Sequence, residues 1–144
     1  MNLCRSKTPT YKTLAPIVPV PAMYTEETVI YPAFLKPDSS QGGKGTSIVR
    51  NKEELDFNLK KNPELLILEY LPGEEHTIDC FTDKNGGLRF VGARIRERIT
   101  NGISVSTRPA TTEDSKGLKK MAEIIHNKIS FRGAWFFQTK IDNR

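Results

Sequence analysis

Residues 31–50, YPAFLKPDSSQGGKGTSIVR, decide how this chain is read. YPAFLK is an apolar run that ends in a lysine, and TSIVR is rich in β-branched residues, so both read as strands. Between them PDSSQGGKG is dense in turn formers, with glycines at 42, 43 and 45 that let the backbone come close to an anion. The order strand, glycine loop, strand is an antiparallel hairpin. It is not strand, glycine loop, helix, so it is neither a P-loop nor a dinucleotide-binding turn.

Upstream of the hairpin, SKTPTYKTL at 6–14 reads as a short helix, with Ser6 or Thr8 as acceptors for free backbone N–H groups and Pro9 in the first turn. IVPVPAMY then reads as extended, because its prolines block a helix. Downstream, KEELDFNLKK at 52–61 reads as a helix capped by Asn51, with acidic residues in its first turn. LLILEYL at 65–71 is a buried-strand pattern ended by Pro72-Gly73. HTIDCFTD and LRFVGARIRE alternate as strands around Asn85-Gly86, a strong hairpin signal. Leu118, Met121, Ala122, Ile125 and Ile129 recur at helical spacing and give one apolar face. GAWFFQTKI at 133–141 reads as a last strand, and IDNR as the opening of a further turn. The sequence has no internal repeat and no low-complexity tract.

Composition bounds the answer. A chain of 144 residues, 37% hydrophobic and 27% charged, is globular rather than disordered, with room for one domain or two small lobes. No apolar run approaches the roughly 20 residues that span a bilayer, and MNLCRSKTPTYK lacks the apolar core of a signal peptide. Cys4 and Cys80 lie far apart, which argues against a disulfide scaffold or a zinc site and for a reducing, cytoplasmic setting. A net charge of +5 suits anionic partners, although an ordinary mildly basic surface accounts for it as well. Nucleic acid is the weaker reading, because no five basic residues run together and aromatics do not alternate with basic residues.

Several residues can carry chemistry. Lys36 ends a strand just before the glycine loop, so its cation faces the same space as the loop's N–H groups, and Lys44 adds charge. Such a loop can wrap phosphates; taken alone, it equally describes a flexible hairpin with a solvated lysine. Glu69, Tyr70, Leu71 and Glu75 surround a strand end where carboxylate and backbone groups can read a purine edge and hold two ribose hydroxyls, or simply make a solvated turn. Arg94 and Arg96 project to one side of a strand, able to neutralise a carboxylate or an acyl phosphate, or to guard an exposed sheet edge. His76 and His126 have no partner that suggests a triad or a metal cluster, and His126 reads as structural.

The stretches YPAFLKPDSSQGGKGTSIVRNKEEL, LILEYLPGEEHTIDCFTD and FRGAWFFQTKID, in this order and near these spacings, resemble the ATP-grasp superfamily, in particular its carbamoyl-phosphate-synthase-like branch. The resemblance covers nearly all of residues 6–144 and implies an α+β fold of two small antiparallel-sheet-plus-helix lobes with a nucleotide cleft between them. Residues 1–13 would be a lead-in, 14–71 the lid subdomain and 72–144 an incomplete second subdomain. ATP and Mg²⁺ are the implied cofactors, and the implied chemistry activates an unidentified carboxylate as an acyl phosphate for attack by an amine or similar nucleophile. Lys7 and Lys36 would contact the phosphates, and Ser39, Ser40, Gln41, Gly42, Gly43, Lys44 and Gly45 would close over them. Glu69, Tyr70 and Leu71 would read adenine, and Glu75 would hold the ribose. Arg94 and Arg96 would serve the reaction, and Gln138 would bind the metal. The GARIRERITNGISVSTR stretch is similar to the family's basic strand followed by a substrate-side loop. The family's preceding domain and its following metal-binding strand lie outside these residues. The stretch therefore reads as a C-terminally truncated fragment, inactive by itself, with a sheet edge open to self-association. A nucleotide-holding module without catalysis is the alternative.

Overall fold

The computed structural model describes residues 5–39, 43–100 and 103–141. The chain forms two compact units, one of Met1–Leu71 with Asn101–Ile103, the other of Pro72–Thr100 with Ser104–Arg144.

The first unit contains α1 (Lys7–Leu14), β1 (Met23–Tyr24), β2 (Ala33–Pro37), β3 (Ser47–Val49), α2 (Lys52–Lys61) and β4 (Leu65–Glu69). Its strands lie in the order β1-β4-β2-β3, and each neighbouring pair is antiparallel. β2 and β3 form the hairpin read from the sequence, with Ala33 opposite Val49 and Leu35 opposite Ser47. The Asn51 side chain accepts from the Glu54 N–H at 2.9 Å, and the Glu54 carboxylate accepts from the Arg50 N–H at 2.9 Å, which satisfies the free donors where α2 begins. Leu55 of α2 is fully buried on Ala33, Leu35, Val49 and Ile67. Since strand residues alternate, Phe34 and Lys36 fall on the face away from α2.

The second unit contains β5 (Glu74–Thr82), β6 (Leu88–Thr100), β7 (Ile103–Pro109), α3 (Thr112–Lys128) and β8 (Gly133–Ile141), with strands in the order β7-β6-β5-β8. Ile78 and Cys80 pack with Leu118 and Ala122 of α3, flanked by Trp135, Phe137 and Ile141 of β8. Burial, and then the charge of Asp79, push the Cys80 thiol up to about 11, so it is an inert core group. At the β5–β6 turn the Asp83 carboxylate accepts from the N–H groups of Asn85 and Gly87, and Gly86 takes a φ of 87° that suits glycine. His126 is structural, as read: its Nε2 donates to the Gly86 carbonyl at 3.0 Å, and its Nδ1 lies 3.4 Å from the Thr82 hydroxyl, which accepts from Trp135 Nε1.

Two readings of the sequence are corrected. The expected loop after the basic strand is itself a strand, β7, which lengthens the sheet. β6 is therefore interior, and Arg94 and Arg96 do not guard an edge. The helix expected to start near Leu118 begins at Thr112, capped by the Thr111 hydroxyl accepting from the Asp114 N–H at 3.1 Å. Among the described residues, no helix is long and apolar enough to cross a membrane.

Leu55 and Phe57 make a direct test of this packing. Leu55 is fully buried and Phe57 is 60% exposed. Leu55→Ala is expected to cost about 2–5 kcal/mol in denaturant unfolding, whereas Phe57→Ala should cost below about 1 kcal/mol. Similar losses for the two would place the core of the first unit elsewhere.

Candidate functional site

In the first unit the site is built where α1 meets the end of β2. Ser6 precedes the helix but its side chain does not cap it. Asp38 does so from across the fold: one carboxylate oxygen accepts from the Thr8 N–H and the Thr8 hydroxyl, each at 2.8 Å, and the other accepts from the Ser6 hydroxyl. These bonds, Ser6 first and the Thr8 backbone next, hold the Asp38 carboxyl below the usual carboxylate range. The Asp38 carbonyl accepts from the Lys7 ammonium at 2.9 Å and from the Lys7 N–H at 3.2 Å.

The result is a lysine pair. Lys36 donates to the Tyr11 hydroxyl at 3.0 Å. Burial, then the neighbouring Lys36 charge, lower the Lys7 pKa, with the charge of Asp38 opposing them. Two cations held close together, one of them partly desolvated, favour an anion beside them. The sequence placed both lysines at one site, and the structure brings them together. It missed Tyr11 and Asp38, because the hydrogen bonds that recruit them span 25 to 31 residues.

The glycine loop is described only in part. Ser40, Gln41 and Gly42 lie outside the described residues. Ser39 and Lys44 are exposed, and Gly43 and Gly45 both have positive φ, 68° and 73°. Thr46 closes the turn by donating to the Gly43 carbonyl at 2.8 Å. At the end of β4, Glu69 exchanges two bonds with residue 22: its N–H donates to the Ala22 carbonyl at 2.9 Å, and its carboxylate accepts from the Ala22 N–H at 3.2 Å. Tyr70 and Leu71 follow, both half-buried.

In the second unit the face of the sheet away from α3 is polar. Glu75, Thr77 and Asp79 alternate along it on β5, opposite Arg94 and Arg96 of β6 and Gln138 of β8. Arg94 Nε donates to Asp79 at 2.7 Å. Arg96, with only 8% of its side chain exposed, bonds the Glu75 carboxylate. The residue expected to hold a ribose is thus paired with a residue expected to serve the reaction. The Gln138 amide donates to the Thr77 hydroxyl at 3.4 Å. Among the described residues, no three acidic, histidine or cysteine side chains cluster to hold a metal. Gln138 offers one neutral oxygen, where Mg²⁺ takes about six oxygens and usually a carboxylate. The described residues therefore do not make a resident Mg²⁺ centre.

Likenesses to known proteins bear on this arrangement. Residues 61–144 match the family model described as ATP-grasp in the biosynthetic pathway with Ter operon. The chain is 28% identical over 116 residues to the D-alanine–D-alanine ligase of Fusobacterium nucleatum, covering 75% of this chain and 40% of that one. It is 31% identical over 103 residues to the carbamoyl phosphate synthase large chain of Halomonas eurihalina, covering 65% and 10%. Among solved structures, a biotin carboxylase–β-γ-ATP complex from Campylobacter jejuni superposes with a TM-score of 0.85 at 19% identity, over 99% of this chain and 38% of that one. The chain spans less than half the length of each of these proteins.

The trans cap generates a prediction. Asp38→Ala should lower stability by about 0.5–2 kcal/mol at neutral pH, as for other lost N-caps. Because the folded pKa is depressed, the stabilisation is present above the unfolded carboxylate value of about 3.9 and is lost as pH falls through the lower folded value. Unfolding curves of the two proteins should therefore converge in acid. A gap that stays constant down to strong acid would show that the charge of Asp38 contributes nothing.

Proposed function

This chain belongs to the ATP-grasp family, and from that footing we propose that it is the ATP-binding part of an ATP-dependent ligase that joins a carboxylate to an amine or similar nucleophile. In this reading residues 14–71 are the lid subdomain and 72–144 the second subdomain. The observation that carries the reading is the lysine pair set at the root of the glycine hairpin, Lys7 held by Asp38 and Lys36 by Tyr11.

ATP is bound through its phosphates by Lys7, Lys36, Lys44 and the N–H groups of the hairpin loop, which closes over them. Gln138 would offer one amide oxygen to a Mg²⁺ ion carried by the nucleotide, whose charge would offset that of the phosphates. Glu69 and Leu71 read the adenine edge, largely through backbone groups and with Tyr70 between them, and Glu75 takes the ribose hydroxyls. The exchange between Glu69 and Ala22 keeps the end of β4 in place for that task. Arg94 and Arg96 offset the negative charge of the carboxylate and of the acyl phosphate made from it. The chemistry attributed to the site is thus positioning and charge neutralisation.

The test separates phosphate binding from adenosine binding. Lys36→Ala is expected to weaken ATP binding about tenfold, or about 1.4 kcal/mol, while adenosine affinity stays the same. Titration calorimetry on the 144-residue chain, with exposed Lys12→Ala as a control, reads both. Equal losses for ATP and adenosine would make Lys36 a structural residue and remove the main support for the reading.

A further inference from the structure

Tyr11 carries a hydroxyl group that the first unit uses only in part. Lys7 and Tyr11 stand at i and i+4 of α1, one above the other on the same side of the helix. That side meets the end of β2. The Lys7 ammonium reaches the Asp38 carbonyl at 2.9 Å, and the Tyr11 hydroxyl accepts from the Lys36 ammonium at 3.0 Å. Tyr11 is only half-buried, in a helix that has no buried residue.

An ammonium group only donates, whereas a phenol both donates and accepts. In the bond with Lys36 the hydroxyl is therefore the acceptor, and its own proton points elsewhere. Among the described residues no group accepts that proton, and no carboxylate pairs with the Lys36 ammonium. The Asp38 carboxylate is committed to Ser6 and Thr8. Accepting from a cation polarises the O–H bond and makes it a stronger donor. Lys7 responds to burial first and then to the charge of Lys36, so both ammonium groups and the hydroxyl share one region. Water satisfies the hydroxyl but leaves the two positive charges. An anion with several oxygens satisfies all three donors, and a phosphate chain is such an anion.

We propose that Tyr11 is a phosphate-binding residue: its hydroxyl, oriented by Lys36, donates to the phosphate chain of the nucleotide beside Lys7 and Lys36. That the ligand is a nucleotide rests on the reading above, whereas the anion contact stands on the geometry of Tyr11 and Lys36.

Tyr11→Phe isolates the hydroxyl, because the ring stays and with it the contact that sets the Lys36 ammonium 5.7 Å from the ring centroid. Titration calorimetry on the 144-residue chain reads the affinity for ATP, inorganic tripolyphosphate and adenosine. Tyr11→Phe should weaken ATP and tripolyphosphate about tenfold, as for a lost hydrogen bond to a charged group, and leave adenosine unchanged. Tyr24→Phe, which removes a hydroxyl from a ring packed on the core under α2, should change none of the three. A Tyr11→Phe chain that melts at a lower temperature but keeps its affinity for both phosphate compounds makes Tyr11 a tie between α1 and β2, and overturns the proposal. Equal losses for ATP and adenosine overturn it as well. ATP binding that falls in Lys36→Ala but not in Tyr11→Phe sinks this proposal and leaves the nucleotide reading standing. Tripolyphosphate binding that depends on the Tyr11 hydroxyl, in a chain that does not take up ATP, supports the contact and sinks the nucleotide reading. Binding of neither phosphate compound overturns both.

Discussion

Each sheet in this chain is covered by packed helix on one face, and strand residues alternate between faces. That constraint sorts the molecule. Ala33 and Leu35 point into the core under α2, so Lys36 must point the other way. Ile78 and Cys80 point into the core under α3, so Glu75, Thr77 and Asp79 must face away from it. The residues free to do chemistry are those that the cores do not claim.

A residue released from the core still has to be held. In the first unit Asp38 does this with one carboxylate and one carbonyl. The carboxylate closes the open N-terminus of α1, and the carbonyl takes the ammonium of Lys7. A helix of eight residues with none of its own side chains buried has little else to fix it. Its capping bond therefore sets where Lys7 and Tyr11 sit, and Tyr11 in turn meets Lys36. The charge of Asp38 also opposes the effect of burial and of Lys36 on Lys7.

In the second unit the cations are restrained by cross-strand pairing. Arg96 is nearly buried against Glu75, whereas Arg94 and Asp79 remain open to solvent. The two pairs differ in how far solvent reaches them, and in both an arginine is held in place by a carboxylate of β5.

Much of this fold was legible because its signals are local. Asn51 followed by acidic residues, the apolar stripe from Leu118 to Ile129, Asn85-Gly86 between alternating runs and the apolar YPAFLK and TSIVR around the glycines each specify a structure within a few residues, and the structure contains them. Lys7 and Lys36 were found by their order along the chain. β7 was not found, because SVSTRP has little apolar content and becomes a strand by hydrogen-bonding to an existing edge. Asp38 as the cap of α1 and Asp79 as the partner of Arg94 were equally hidden. The hydrogen bond to Thr8 spans 30 residues, and the other depends on a register that puts Asp79 opposite Gly92 and one step diagonal from Arg94. The sequence by itself determined the elements and which of their faces are apolar, because periodicity is a property of neighbouring residues. Only the tertiary structure decided which charges meet, because pairing depends on register and on chain segments brought together from far apart.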